Sequence, residues 1–437
     1  MRNKHGWKRV MLAALVMVMA ATAFAGSKDG KVEQNAQDEA KRLEILGAIN
    51  DFATYCTDVL LDEDGKSRCD YNLVEGKWYP YEPAWHTGQV IYGLVEAYEV
   101  TGNEKYLKEA KRAGDWWVGL QIKDHPVLNG MVHASHGDII GDRIIFATTS
   151  DGTPGLFRLW EVTKEDKYAR VPTEAGEWMM NNMYEPNSRL FYDTVEPESG
   201  EVMKENSPFW ADEIPKEQQT LFNLARPNNE GSLFKDMYEY SGDERYKKMF
   251  VELCESLLDY QDEWGLWMDF MPNHKEGEGG SYHPRFNLWY AESLFEGYDL
   301  TGDKRYLEAG IRTLRTYAKA QTEIGTVYYV NFVDGTYEKH SITGSATAFL
   351  GLLSIRAVGY GYPEFNETIE RSLDWVLTNR FPADHPDPNL AGSLLNLRSR
   401  VRHDKHWITM RDVGTSFGLR FLCDYTRATY GVGEQSE

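Results

Sequence analysis

The sequence contains little cysteine, little positive charge and no long apolar segment beyond its first residues. Only four cysteines occur among 437 residues, and no Cys/His spacing is typical of a metal site. Lys and Arg number 47 against 68 Asp and Glu, a formal net charge of -21. This argues against nucleic acid as a partner, because phosphate binding needs clustered basic residues. No second apolar stretch reaches the roughly 20 residues of a membrane-spanning helix. We therefore predict a soluble mature chain with no metal, no cofactor, no nucleic-acid partner and no membrane insertion.

The N-terminus has the features of a secretory signal. Basic residues within the first nine positions precede an apolar run over 10–24, which ends in small residues on either side of Phe24. The run is too short to prefer spanning a bilayer. We predict a signal peptide over 1–25 and a single catalytic domain over 26–437, located in the periplasm or outside the cell.

The four cysteines divide into two kinds. Cys56 and Cys69 are close in sequence and could form a disulfide in an oxidising compartment. Cys254 and Cys423 lie among apolar helical residues, and we predict that they are buried free thiols.

A helical-hairpin motif recurs along the chain. Each copy has an apolar helix end, a turn such as Thr-Gly-Asp, and a Tyr three residues later. The copies span 92–106, 156–168, 233–246 and 294–306, with a worn copy at 349–365. The turn glycine can adopt the left-handed conformation that ends a helix, and the Asn or Asp after it can cap the next helix. Each motif therefore predicts a tight pair of antiparallel helices.

These joints predict about twelve helices in six pairs. Short joints alternate with six long connections, at 63–85, 123–153, 184–228, 263–285, 321–343 and 380–411. We predict an all-α (α/α)6 toroid in which the first and last helices are paired by closure; seven pairs, or an open solenoid, are the alternatives. Because every long connection joins the same side of a pair, all should gather at one face of the ring, where function is expected.

The composition of the long connections suits a sugar. Ten of the eleven histidines lie in or at the edge of them, together with aromatic residues such as Trp85 and Trp210. Aromatic rings can stack on the apolar face of a pyranose while polar neighbours bind its hydroxyls. Core packing is the alternative for each aromatic side chain.

The hairpins, with the pattern Leu-x-x-x-Tyr/Trp-x-x-Thr-Gly-Asp-x-x-Tyr, resemble those of the α/α-toroid carbohydrate-active proteins. That group includes polysaccharide lyases acting on alginate or glucuronan, unsaturated-uronide hydrolases and sugar epimerases. The resemblance covers roughly residues 36 to 430 and implies a glycan substrate. Its motifs specify the fold more than the reaction.

Two segments suggest the chemistry of β-elimination. Tyr282, His283 and Arg285 stand just ahead of an inner helix, where a Tyr or His base could remove the proton beside a uronate carboxylate; a loop anchor is the alternative. Asn229 and Glu230 stand where toroid alginate lyases often carry an Asn-His pair that grips the carboxylate. The departure at Glu230 leaves open a neutralising role, a hydrolytic acid or, for one of the asparagines here, a helix cap.

Further residues are predicted to contribute to the same face. The basic tail segment is interpreted as a wall that binds a polyanion, with a solvated loop as the alternative. It consists of Arg398, Arg400, Arg402, His403, Lys405, His406, Trp407 and Arg411. The predicted catalytic residues are Tyr282, His283, Asn229, Glu230 and His136. The predicted substrate-binding residues are Trp85, His86, Arg143, Trp210, Arg285, Arg402, His403, His406 and Trp407.

We therefore predict a polysaccharide lyase that cleaves an acidic, uronic-acid-containing polysaccharide such as alginate or glucuronan, or an oligosaccharide of that kind. A glycoside hydrolase on the same toroid, including an unsaturated-uronide hydrolase, is the alternative; its carboxylates would come from Glu230, Asp269, Asp138 and Asp142. A non-catalytic glycan-binding protein is the third interpretation.

Overall fold

The computed structural model describes residues 28–136, 142–205, 221, 225–226, 232–268, 270, 281–331, 337–338, 342–402 and 405–431. The predicted signal peptide lies outside the described residues and remains a prediction.

Within the described residues, twelve helices of nine or more residues and one five-residue helix, α4, form the fold. In chain order they are α1 Lys28–Tyr55, α2 Pro83–Thr101, α3 Glu104–Val118, α4 Phe146–Ser150, α5 Thr153–Thr163, α6 Lys167–Asn182, α7 Leu233–Ser241, α8 Glu244–Tyr260, α9 Pro284–Thr301, α10 Lys304–Ala320, α11 Gly344–Gly359, α12 Asn366–Thr378 and α13 Val413–Tyr430. The predicted helices are all present, with ends that shift by a few residues.

The short joints have the predicted turn chemistry. Helix α2 ends at Gly102, whose φ of 69° is left-handed, and the Asn103 side chain accepts a hydrogen bond from the backbone N–H of Lys105. The joints after α7 and α9 repeat this arrangement with Gly-Asp. The joint after α5 differs, because Lys164 takes the left-handed conformation there with a φ of 58°.

The helix pairs close into a ring. Helices α2, α5, α7, α9, α11 and α13 form the inner layer, and the other long helices pack outside them. Helix α13 packs against both α11 and α2, while α1 packs on the outside of α13, so the last pair is formed by the two ends of the chain. The all-α (α/α)6 toroid is thus confirmed, with six pairs in the part of the chain that the structure describes.

Two inner helices touch backbone to backbone beside the loop face. A Cβ atom on Gly88 of α2 would lie 2.0 Å from the carbonyl oxygen of Gly152, and one on Gly155 of α5 would lie 2.0 Å from the carbonyl oxygen of Gly88. Only glycine permits this approach. It fixes the segment before α5 against the first turns of α2.

Short strands, which the sequence did not predict, order the long connections. They are β1 Asp70–Asn72, β2 Lys77–Tyr79, β3 Ile144–Ile145, β4 Tyr184–Glu185, β5 Leu190–Tyr192, β6 Thr194–Val195, β7 Ala225–Arg226, β8 Ser281–Tyr282, β9 Tyr329–Asn331, β10 Tyr337–Glu338, β11 Leu397–Arg402 and β12 Lys405–Arg411. The largest sheet has the order β11-β12-β1-β2. The basic tail segment, predicted as a loop, is therefore a β-hairpin that joins a sheet.

The cysteines and the membrane prediction have clear outcomes. Cys56 and Cys69 are free and buried, so the suggested disulfide is absent. Cys254 and Cys423 are buried free thiols, as predicted. Among the described helices, none combines the length and apolarity needed to cross a bilayer.

Candidate active site

The starts of the inner helices converge at one end of the ring and carry its ionisable groups. Glu82 is the N-cap residue of α2, His283 that of α9 and Asp412 that of α13. Asp151 lies two residues before α5. The positive ends of the helix dipoles favour negative charge at this face. The long connections and the inner-helix starts thus meet where function was expected.

Glu82 is the centre of a buried network. Its Oε1 lies 2.7 Å from His136 Nδ1, and its Oε2 lies 3.6 Å from Arg411 Nη2. The other ring nitrogen of His136 lies 2.9 Å from the Tyr81 hydroxyl. Burial raises the pKa of Glu82, but its interactions with His136 and Arg411 outweigh that effect and lower the pKa to about 2. Glu82 is therefore a carboxylate at any pH near neutral.

A second buried network surrounds His86, which is fully buried. Its Nδ1 contacts Asp412, whose other oxygen accepts a hydrogen bond from Ser67. Its Nε2 lies 3.2 Å from Arg411 Nη2, and Arg411 Nε donates to Asp70 Oδ1 at 3.2 Å. Asp70, His86 and Asp412 bring three potential metal ligands within 4.8 Å of one another. The Arg411 guanidinium contacts two of these three residues and supplies positive charge there.

Asp151 is a buried carboxyl at this face whose environment favours the protonated form. Burial raises its pKa well above the ordinary value, and the negative charges of Glu82 and Asp193 raise it further, whereas Arg226 and Ser150 lower it. Arg226 is itself buried and forms an ion pair with Asp193, with Nη2 and Oδ2 3.2 Å apart. Glu82 and Asp151 thus form a pair of carboxyl groups whose pKa values are pushed in opposite directions, a pattern typical of acid–base sites.

Tyr290 of α9 belongs to the same group. Its ring is fully buried, and its hydroxyl forms no hydrogen bond within the described part of the chain. Burial raises its pKa, while Arg226 lowers it and the charges of Asp151 and Asp193 raise it. A buried hydroxyl with an unused donor is a group that a ligand oxygen or a water would satisfy.

His283 and Arg285 lie on the neighbouring side of the ring. Burial lowers the pKa of His283 well below its ordinary value, and the cations Arg285, Arg398 and Arg411 lower it further, so the imidazole is neutral. The Arg285 guanidinium lies 4.8 Å from the ring centroids of both Trp85 and Trp289. Trp85, predicted to stack on a sugar, is only 3% exposed and stacks on arginine instead.

The predicted site residues therefore fall into several groups. The structure brings together His136, Trp85, His86, His283 and Arg285. Arg143 is half-buried and bonds to Glu196 at 3.4 Å, apart from these networks. For Tyr282, Arg402, His406 and Trp407 only the backbone, in β8, β11 and β12, is described. Asn229, Glu230, Trp210, His403, Asp138 and Asp269 lie outside the described residues.

Two of the predicted residues, His86 and Asp142, lie in very different surroundings. His86 has both ring nitrogens engaged and no exposed surface, which favours a positioning role over direct contact with a sugar. Asp142, a carboxylate of the hydrolase alternative, is exposed, and its Oδ1 lies 2.9 Å from His133 Nε2.

Sequence reasoning missed Asp151, Asp193 and Glu82. Asp151 and Glu82 carry a signal that could have been used, because each stands at the end of a long connection, directly ahead of an inner helix, as His283 does. Asp193 lies between two short strands and has no comparable signal.

The arrangement defines an α/α toroid with a cluster of buried ionisable side chains at its loop face. The sequence model of the family described as Glycosyl Hydrolase Family 88 matches residues 66–242, a range that contains Glu82, Asp151, Asp193 and Arg226. An unsaturated rhamnogalacturonyl hydrolase of Bacillus subtilis (strain 168) is 24% identical over 218 residues, which are 49% of this chain and 53% of that protein. The chain thus spans about half the length of the curated relative it matches.

Solved structures show the same fold in proteins of several activities. The unsaturated glucuronyl hydrolase of Bacillus sp. GL1 is 15% identical, with a TM-score of 0.62 over 88% of this chain and 97% of that one. A cellobiose 2-epimerase of Bacillus thermoamylovorans B4167 is 14% identical, with a TM-score of 0.62 over 86% and 98%. A polysaccharide lyase is 14% identical, with a TM-score of 0.55 over 89% and 98%. At these identities the likeness concerns the fold alone.

The comparisons correct the predicted reaction. The matching family model is one of glycosyl hydrolases, and the curated relative is a hydrolase. The prediction of a polysaccharide lyase is therefore wrong, whereas the expectation of a toroid carbohydrate-active protein is supported. The lyase prediction placed a Tyr or His base, Tyr282 or His283, beside the cation Arg285. In the structure burial makes His283 neutral, and Arg285 lies against two indole rings.

Proposed function

We propose that the protein is a glycoside hydrolase that removes an unsaturated uronyl residue from the end of an acidic oligosaccharide. The observation that carries the proposal is the buried Asp151 carboxyl, whose pKa is raised by burial and by two neighbouring carboxylates. The family match over residues 66–242 and the names of the similar hydrolases support the same reaction class and the same kind of sugar.

Asp151 is proposed as the general acid. A carboxyl that stays protonated near neutral pH can donate a proton to the substrate, and after the transfer its carboxylate can take a proton from the attacking water. The double bond of an unsaturated uronyl sugar is conjugated to its carboxylate and to the ring oxygen, so proton transfer to that system prepares it for addition of water. The proton adds to C4 and the hydroxyl of water to C5, so the conjugated double bond is lost and C5 becomes a hemiketal carbon. Opening of that hemiketal leaves C1 as a hemiacetal, which releases the rest of the oligosaccharide as an alcohol with a new sugar end.

Arg226 and Tyr290 are proposed to orient this sugar. The Arg226 guanidinium stands beside the acid and can attract the uronyl carboxylate, while the Tyr290 hydroxyl has a donor to offer to a sugar oxygen. Glu82 is proposed to act through Asp151, because its negative charge helps to hold the acid in its protonated form.

The sign of an ultraviolet absorbance change tests this function. Oligosaccharides with an unsaturated terminal uronyl residue, prepared from several uronans, should lose absorbance and gain reducing ends when the enzyme is added. Intact uronans should show no rise in absorbance. A rise would mean β-elimination, and no change on any of the oligosaccharides would refute the proposal.

A single substitution tests the acid. Asp151→Asn should lower kcat on the order of 10²–10⁴-fold, as expected for loss of a general acid. Asp374→Asn, an exposed carboxyl on the outer helix α12, is the matched control and should retain activity. If Asp151→Asn retains most of the activity, another carboxyl is the acid.

A further inference from the structure

We infer that a second anion-binding position lies in the cleft between α9, α11 and the β11–β12 hairpin, and that it binds a carboxylate or sulfate group on the sugar next to the unsaturated uronyl residue. This inference rests on the proposed function for the identity of the substrate. The existence of an anion-binding cleft can be tested without turnover.

The cleft is built from basic and neutral polar residues. It is an open cleft lined by Arg285, Ile342, Thr343, Ser345, Asn396, Leu397, Arg398 and Arg411. Three of these residues are arginines, and none of the lining residues that the structure describes is acidic. In a chain with a net charge of -21, three arginines around one cleft are a local reversal of charge.

Within the described residues, the arginines of the cleft differ in their acidic partners. Arg411 contacts Asp70 at 3.2 Å and Glu82 at 3.6 Å. Arg398 is half-buried and forms no ion pair with any residue in the described ranges. An arginine kept partly from water without a carboxylate is a group that a ligand anion would stabilise.

Two further observations support a positive field here. The pKa of His283 is lowered mainly by burial, and then by Arg285, Arg398 and Arg411 together, so all three cations act on the same space. Arg285 Nη1 lies 3.2 Å from the Ser345 hydroxyl, which stands in the first turn of α11. A hydroxyl and an arginine side by side suit the oxygens of a carboxylate or sulfate.

The cleft and the proposed acid–base centre flank the start of α9. The Arg226 guanidinium lies 5.8 Å from the Phe286 ring, and the next residue back, Arg285, reaches Ser345 on the opposite neighbour, α11. Two cations on either side of one helix start fit a substrate with negative groups on consecutive sugars. We therefore assign the cleft to the second sugar, which is released with the rest of the oligosaccharide.

The experiment compares three unsaturated disaccharides whose second sugar carries a carboxylate, a sulfate or no charge. The wild-type enzyme should have a higher kcat/KM for at least one charged disaccharide than for the neutral one. The ratio of the charged to the neutral kcat/KM should fall about tenfold or more in Arg398→Ala, the loss expected for one charge-assisted hydrogen bond. The charged disaccharide with the higher kcat/KM shows whether the cleft binds a carboxylate or a sulfate group. Arg398→Lys should restore part of the ratio, because it keeps the charge. Arg315→Ala, an exposed arginine paired with Glu364 on the outer layer, should leave it unchanged.

Calorimetric titration with sodium sulfate and with saturated acidic disaccharides separates this inference from the proposed function. If the wild type hydrolyses none of the unsaturated sugars, the proposed function fails, but the cleft is still supported by anion binding that Arg398→Ala weakens. Equal kcat/KM values for charged and neutral disaccharides, or anion binding that Arg398→Ala leaves unchanged, would overturn the inference. Melting curves of both Arg398 variants verify that they are folded.

Discussion

Removal of the charge of Glu82 is a direct test of the buried network at the loop face. In Glu82→Gln the shape of the side chain is kept, but the carboxylate between His136 and Arg411 is lost. Glu82 is only 8% exposed, so water cannot replace the missing charge. The Arg411 guanidinium would then be left in a buried site with less compensation, and His136 would lose its carboxylate partner.

The pKa of Glu82 gives the size of the effect. The difference between an ordinary pKa of 4.5 and the folded value of about 2 corresponds to about 3 kcal/mol of stabilisation at neutral pH. This agrees with the roughly 3–5 kcal/mol that removal of one partner from a buried ion pair usually costs. Because the folded pKa is lowered, the stabilisation is complete above the unfolded value and is lost as pH falls toward the folded one. The difference between the two proteins should therefore decrease from about 3 kcal/mol near pH 5 to about half of that near pH 3.

Urea unfolding followed by tryptophan fluorescence measures this difference, taken from the shift of the midpoint at constant slope. Glu323→Gln is the matched control, since Glu323 is exposed and forms no ion pair with the described residues. A midpoint for Glu82→Gln equal to that of the control at every pH would refute the reasoning. So would a difference that does not change between about pH 5 and pH 3. In the proposed enzyme, the same substitution should also lower the pKa of Asp151 and move the group's titration in the pH–rate profile to lower pH.

Two further substitutions test the ring itself. Gly88→Ala should destabilise the fold by about 1–3 kcal/mol and reduce activity, because the new Cβ would lie 2.0 Å from the Gly152 carbonyl oxygen and would displace the segment that holds Asp151. Gly47→Ala is the control, since no atom lies within 4 Å of its new Cβ. Equal melting temperatures for the two variants would contradict the close approach. Lys235→Met should lower the free energy of unfolding, measured in urea, by about 3 kcal/mol or more, since the buried ammonium lies 3.0 Å from Glu239 and 3.1 Å from Glu296. An unchanged midpoint would mean that these carboxyls are stabilised in another way.

The fold could be predicted from the sequence because its signals are local. A Gly-Asp turn specifies a helix end and a helix start within four residues, and the side chain of Asp243 or Asp303 caps the next helix as expected. Repetition of such turns then limits the architecture, since pairs with short joints and long returns stack side by side. Even the joint after α5, where Lys164 replaces the glycine, followed the same plan.

The site could be predicted only in part, because its contacts join residues far apart in sequence. Arg411 contacts Asp70 across 341 positions, through strand β12 paired with β1, and neither short strand had a usable pattern. The Arg226–Asp193 pair similarly depends on short strands in a long connection. The sequence predicted that the long connections gather at one face of the ring, but it could not show which ionisable groups are buried together there. That information decides the protonation states.

The difference between the predicted lyase and the proposed hydrolase follows from this point. Hydrolases, epimerases and lyases share the toroid, so neither the ring nor its repeated turns select the reaction. A histidine beside an arginine has the composition of an elimination site, yet burial among three cations makes His283 neutral. An aspartate in an unremarkable Ser-Asp-Gly sequence becomes the best candidate acid, because Glu82 and Asp193 are brought near it. In the proposed enzyme, the protonation state of the acid depends on charges that inner-helix starts and long connections bring together, and the order of residues in the sequence does not show which charges those are.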